Sequence, residues 1–282
     1  MRRFTYWFTG GYIATNITGV FSMYSEDRVG AARLVANAVG TAEDLGLSLY
    51  TGGDFSVFSS IIRKGGRPSE VTVAFDCAHQ PIDATNAFWV CGFDQAGKLV
   101  HTQALRLIDL EGGTLADYMA KRFVDFPPAG VNFDLSKSMY VPGPRARNIA
   151  GRACYHGEVW IDNESHGLRG SGLAPMLGRM AIVLAMLKWR PDYVFGFMSK
   201  ALSFKGFGLK EGYMHTEPSS LRLYQKDVDQ FLEGYMVWMA VEDLIHLIKT
   251  AMFEIPEMLI NEDLIVAFEK RATPDLELAS LH

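Results

Sequence analysis

His156-Gly157-Glu158-Val159-Trp160-Ile161-Asp162 opens the run of sequence that decides the fold. It is followed by a loop ending in Arg169-Gly170-Ser171-Gly172-Leu173-Ala174 and later by Tyr193-Val194-Phe195-Gly196-Phe197-Met198. The two outer segments are short, rich in aromatic and β-branched residues and bounded by turn formers, which is how strands read. Between them Leu173, Met176, Leu177, Met180, Leu184 and Leu187 recur three and four residues apart, the spacing of a helix face. Ala181, Ile182 and Val183 add apolar side chains on the other faces, so this helix is expected to be largely buried. Pro175 fits its first turn, where no backbone donor is needed. Strand, glycine loop, helix and strand in this order favour two parallel neighbours in a sheet.

The loop carries the chemistry. A helix start leaves backbone N–H groups unpaired and bears partial positive charge, and glycines let a bulky anion approach them. A diphosphate bound there accepts several hydrogen bonds at once. The stretch is not a P-loop, because no Gly-Lys-Ser/Thr follows. It also lacks the third glycine and the downstream acid of a dinucleotide fingerprint.

Working outward, residues 26–46 and 56–63 read as helices, the second closed by Gly65-Gly66. Val71–Phe75 reads as a short strand, and 87–92 with 99–108 as a hairpin turning through Asp94–Gly97. Thr114 with Asp117 signals a helix start. Residues 126–152, with four prolines, read as a long loop whose Arg145, Arg147 and Arg152 are either solvated or a phosphate contact. A short helix is expected near 199–206 and a last strand at 221–224. Beyond it, Phe231, Leu232, Tyr235, Trp238, Met239, Ile245, Ile248 and Met252 suggest a helical extension with a broad apolar face. The apolar stripe at 235–252 is read as core or as the face of a homodimer through the C-terminal helices. The expected division is an N-terminal region over 1–70, a core over 71–225 and a C-terminal helical extension over 226–282.

Composition narrows the function. The chain has 282 residues, 49% hydrophobic and 21% charged, enough apolar surface for a sizeable core and against disorder. A formal charge of −5 and no basic face argue against a nucleic-acid binder. Cys77, Cys91 and Cys154 form no CxxC pair, so neither a disulfide framework nor a zinc knuckle is expected, and the reading is a reducing, cytoplasmic setting. Met1-Arg2-Arg3 precedes aromatics, but Thr9-Gly10-Gly11 interrupts at once, so no export signal is expected. The most apolar windows, 173–187 and 235–252, contain charges and predict no membrane span. The scattered histidines predict no metal site.

The stretch resembles the GNAT superfamily of acyl-CoA-dependent N-acetyltransferases, whose signature Gln/Arg-x-x-Gly-x-Gly/Ala lies at a strand-to-helix junction. Arg169, Gly172 and Ala174 fall on its defining positions, and residues near 165–168 look inserted. The similarity is most specific over 157–213 and looser over 71–225. It implies an α/β fold: a mixed, largely antiparallel sheet with helices on both faces, here with helical additions at both ends. It implies acetyl-CoA or another acyl-CoA as co-substrate and a small-molecule or peptide amine as acceptor. The diphosphate would sit on Arg169, Gly170, Ser171, Gly172, Leu173 and Ala174, and the pantetheine arm along Val159, Trp160 and Ile161. A carboxylate or histidine would take the ammonium proton. Positions 156, 158, 160 and 162 are expected to share one strand face, so that His156, Glu158 and Asp162 point the same way; Glu158 is the first choice of base and His156 the second, with Asp162 a turn former. Many members carry a tyrosine as acid where this chain has Phe204, and Ser203, Tyr213 or solvent could substitute. Lys200 and Lys205 flank this segment and are read either as exposed lysines at a helix end or as contacts to the coenzyme's phosphates. Two other readings share the fold: an acyl-homoserine-lactone-synthase-like enzyme, and a non-catalytic acyl-CoA-binding protein.

Overall fold

The structure, a computed structural model, describes residues 28–162 and 172–251. The strands are β1 (Ser48–Gly52), β2 (Ala87–Phe93), β3 (Leu99–Thr114), β4 (Phe133–Tyr140), β5 (Ala150–Ile161), β6 (Tyr193–Ser199), β7 (His215–Gln225) and β8 (Gln230–Ala240). The helices are α1 (28–44), α2 (Phe55–Lys64), α3 (Leu115–Arg122), α4 (Leu173–Trp189), α5 (Lys200–Phe204), α6 (Phe207–Lys210) and α7 (Val241–Ala251). The strands form one sheet in the order β1-β2-β3-β5-β6-β8-β7-β4. Every neighbouring pair is antiparallel except β5 with β6. The expected fold class is therefore the one found: a mixed, largely antiparallel sheet with helices on both faces. No described helix is long and apolar enough to cross a membrane.

Two apolar cores flank the sheet. On one face α1, α4 and α7 bury Ala31 and Ala38, Leu177 and Ile182, and Leu244 and Ile248. On the other, α2 and α3 bury Phe55, Phe58, Leu115 and Met119. Local chemistry starts these elements as the sequence suggests. Asp54 caps α2 by accepting from the N–H groups of Ser56 and Val57. Thr114 and Asp117 form a reciprocal capping box on α3.

Three expectations are corrected. Val71–Phe75 is not a strand; Val73–Phe75 is a 3₁₀ turn whose Phe75 stacks on Phe55 and Tyr155. Its apolar composition reports burial, not ladder pairing. The supposed loop 126–152 contains β4, an edge strand whose register on β7 breaks between Asp134 and Met139, so its side chains do not alternate cleanly. Residues 230–240, expected to be helical, form β8. That strand lies between β6 and β7 and sends Met236 into one core and Val237 and Met239 into the other. A strand covered on both faces reads as a continuous apolar run, which periodicity cannot separate from a buried helix. With β1 and β8 in it, the sheet extends beyond 71–225 on both sides. On α7, Leu244, Ile245 and Ile248 are buried within the chain. The expected helix over 257–271 lies outside the described residues.

Candidate functional site

The parallel pairing of β5 with β6 is short. It runs from Ala153 with Tyr193 to Tyr155 with Phe195 and ends there. Beyond it β5 stays on β3 while β6 stays on β8, and the two strands part. A cavity of about 750 Å³ fills the gap, lined among others by His156, Glu158, Gly196, Glu211 and Tyr213. Val159, Trp160 and Ile161 also line it, as do Gly172, Ala174 and Pro175 at the start of α4. The structure thus brings together the strand end and the helix start that the sequence singled out. Gly172 caps α4 with φ 74°, a left-handed conformation that a Cβ disfavours, and its carbonyl accepts from the Met176 N–H at 3.2 Å. Leu173 is fully buried. Arg169, Gly170, Ser171 and the inserted stretch with His166 lie outside the described residues.

His156, Glu158 and Asp162 do not share a face. Gly157 stands opposite Ala104, but Trp160 stands opposite Thr102, so β5 carries one extra residue in a bulge. Glu158 sits at that bulge with φ 57°, unusual for a residue with a side chain. The bulge reverses the alternation. Glu158 turns toward residues 67–72: Arg67 Nη2 approaches its Oε2 at 2.6 Å, and the Thr72 N–H donates to its Oε1 at 2.9 Å. The Thr102 hydroxyl donates to the Glu158 carbonyl at 2.8 Å, and Arg67 donates to that hydroxyl oxygen at 3.1 Å. The ion-paired side chains are 4% and 0% exposed, so the pair is buried at the cavity wall. Asp162 pairs instead with Lys98 at 2.6 Å.

His156 faces α4. The Gln103 side-chain amide donates to the Leu177 carbonyl at 2.8 Å, which leaves the Gln103 oxygen to accept from His156 Nε2–H at 3.0 Å. In the neutral imidazole Nδ1 is then an acceptor, and the Tyr213 hydroxyl donates to it at 3.0 Å. Burial pushes the His156 pKa down to about 3, with nearby His101 adding to the shift, and burial pushes His101 down to about 4. Both native-state values lie below 6.5, so their neutral forms favour the folded state above that pH. Stability is expected to fall as the pH drops from about 6.5 toward those values, because the unfolded chain takes up the protons first. Thermal melts at pH 7 and pH 5 should show a lower midpoint at pH 5, and a smaller drop in the non-ionising His156→Gln variant.

Glu211, which the sequence reading did not single out, is the unexpected member of the site. It follows α6, is 3% exposed and lines the cavity. Its Oε1 is buried with no hydrogen-bond partner among the described residues. Burial pushes its pKa up to about 8. Gly178 of α4 makes room for it: a Cβ there would stand 3.2–3.3 Å from the Glu211 side chain. That glycine, in the middle of a mostly apolar helix, is the one sequence signal that could have pointed to it.

Other candidates fall away from the cavity. Phe204 is 75% exposed on α5 and packs on Tyr235, outside the cavity lining. Lys200 is ion-paired with Glu233 at 2.9 Å. Arg152 donates to the carbonyls of Trp189 and Arg190 at the end of α4, so it caps that helix. None of the three cysteines lines the cavity.

No protein-family model and no curated protein matches the chain. Among solved structures it is similar to an N-acetyltransferase from Staphylococcus aureus Mu50, at 9% identity over 70% of this chain and 98% of that one, with a TM-score of 0.39. It is also similar to the spermidine/spermine N-acetyltransferase SpeG from Vibrio cholerae, at 9% identity over 71% and 96% of the two chains and a TM-score of 0.39. A third is FeeM, an N-acyl amino acid synthase from uncultured soil microbes, at 11% identity over 78% and 87% and a TM-score of 0.35.

Proposed function

We propose that the protein transfers an acyl group from acyl-CoA to an amine. The observation that carries this reading is the cleft that opens where β5 and β6 stop pairing, with the start of α4 on its rim. A thioester arm needs such a slot between strands, and a diphosphate needs a helix N-terminus beside it. In this reading the diphosphate rests on backbone amides over 169–174, and the arm lies along Val159, Trp160 and Ile161. The acceptor nitrogen attacks the thioester carbon, the C–S bond breaks, nitrogen loses a proton and sulfur gains one.

Glu211 is the group best suited to carry that proton. It lines the cavity, has no partner for one oxygen among the described residues and, with a pKa of about 8, holds its proton at neutral pH and releases it without great cost. It gives the proton to the leaving sulfur and regains one from the new amide nitrogen. Tyr213 directs its hydroxyl hydrogen to His156 and so offers oxygen lone pairs to an N–H in the cavity. His156, with both nitrogens engaged, positions Tyr213. Glu158, tied to Arg67 and Thr72, fixes the bulge that keeps the strands apart. Because Phe204 lies outside the cavity, its lack of a hydroxyl does not favour the non-catalytic reading.

The test is calorimetric titration with CoA and acetyl-CoA, alongside thiol release on an amine panel. Gly172→Glu, which sets a carboxylate beside the expected diphosphate, should weaken CoA binding at least about 100-fold, or about 2.7 kcal/mol. Gly172→Ala, which adds only left-handed backbone strain of about 1–2 kcal/mol, separates folding loss from charge repulsion. Unchanged CoA affinity in a folded Gly172→Glu protein rejects the reading.

A further inference from the structure

The cavity does not end where an acetyl group would. It continues past the β5–β6 cleft onto the face of the sheet opposite α4. Its floor there is Phe197 of β6, Leu232 of β8 and Leu221 and Leu223 of β7. Phe126 and Ala129, in the segment before β4, also line it. Phe126, Leu221 and Leu223 are buried. The charged groups along this stretch are spent on each other: Arg67 holds Glu158, the Ser69 hydroxyl and the Glu70 carbonyl.

We propose that the donor is a medium- or long-chain acyl thioester whose hydrocarbon lies in this apolar bay, a proposal that rests on the acyl-transfer reading above. Three observations favour the acyl chain as occupant. The bay is continuous with the cleft assigned to the thioester arm, so a chain attached at the carbonyl enters it without leaving the protein. Cleft and bay together enclose about 750 Å³, in the upper part of the roughly 300–1,000 Å³ range of ligand sites, whereas acetyl adds only a single methyl to the arm. The floor is built from apolar side chains of three neighbouring strands, and the one polar side chain these strands add to the lining, Ser199, accepts from the Leu202 N–H at the start of α5.

The experiment is a chain-length series. Dissociation constants are measured for CoA and for its acetyl, hexanoyl, decanoyl and palmitoyl thioesters, with turnover on one fixed amine. Affinity should climb by up to about fourfold per added methylene as the chain fills the bay, then level off. The same acyl groups on pantetheine, which lacks the nucleotide, should show the same climb from a weaker start. Ala129→Trp, a change in a surface segment that fills one wall, should move the optimum to shorter chains. A flat series with CoA still bound overturns the proposal and leaves acyl transfer standing. So does a flat series in which kcat/KM rises with the apolarity of the amine instead, for the bay then belongs to the acceptor. Failure of CoA itself to bind, with the pantetheine thioesters still graded by chain length, rejects the diphosphate site and keeps the bay.

Discussion

Glu211→Gln is expected to lower kcat by roughly 10²–10⁴-fold while leaving the affinity for CoA within a few fold. Glutamine keeps the shape that Gly178 accommodates but has no proton to exchange with sulfur or nitrogen. Two further readouts separate this role from a structural one. Wild-type turnover should decline as the pH rises through about 8, where Glu211 loses its proton, and the variant should lack that limb. A thioester with a more acidic leaving thiol should recover much of the lost rate, since its thiolate departs without a proton. Stability should move the other way from activity. The native pKa of Glu211 lies above its ordinary 4.5, so the unfolded chain ionises first as the pH rises from 4.5 to about 8. The native state loses stability relative to it across that window. Glu211→Gln should therefore melt higher than wild type at pH 8 and close to it at pH 4. Equal melting at both pH values would remove the buried, uncompensated carboxyl from the argument, and full activity would remove its catalytic role.

Arg67→Met is expected to destabilise the protein by about 3–5 kcal/mol, because it strands the Glu158 carboxylate in a site with no exposure. The unfolding midpoint should fall on the order of 10 °C. The double variant Arg67→Met with Glu158→Gln should recover much of that loss, since the glutamine oxygen still accepts from the Thr72 N–H and no charge is left unpaired. A double variant as unstable as the single one would show that Arg67 acts through its contacts to Ser69, Glu70 and Thr102 rather than through the ion pair. The pair staples residues 67–72 to the bulge in β5, so the single variant should also lose thiol-releasing activity at temperatures where it is still folded.

The strand, loop, helix and strand over 156–198 were legible because their signals are local. Apolar residues of α4 lie around most of its circumference and most of the helix is buried, and the parallel β5–β6 pair follows from the helix between them. The capping chemistry of α2 and α3 was legible for the same reason. β8 was not. Phe231, Leu232, Tyr235, Trp238 and Met239 fit a helix as well as a strand, and only the neighbours β6 and β7 decide between them. β4 was hidden because an edge strand with broken register needs no alternation.

For the candidate site, the sequence by itself picked out the two elements that line the cleft, β5 and the start of α4. Backbone propensity and apolar spacing are properties of neighbouring residues, so one chain read in order reveals them. Only the tertiary structure decided which side chains meet there. A single bulge between Gly157 and Trp160 turned Glu158 away from His156 and toward Arg67, some ninety positions earlier in the chain. The packing of Glu211 against Gly178 made a surface-type residue into a buried acid. Facing and burial depend on contacts between segments far apart in sequence, and no local pattern encodes them.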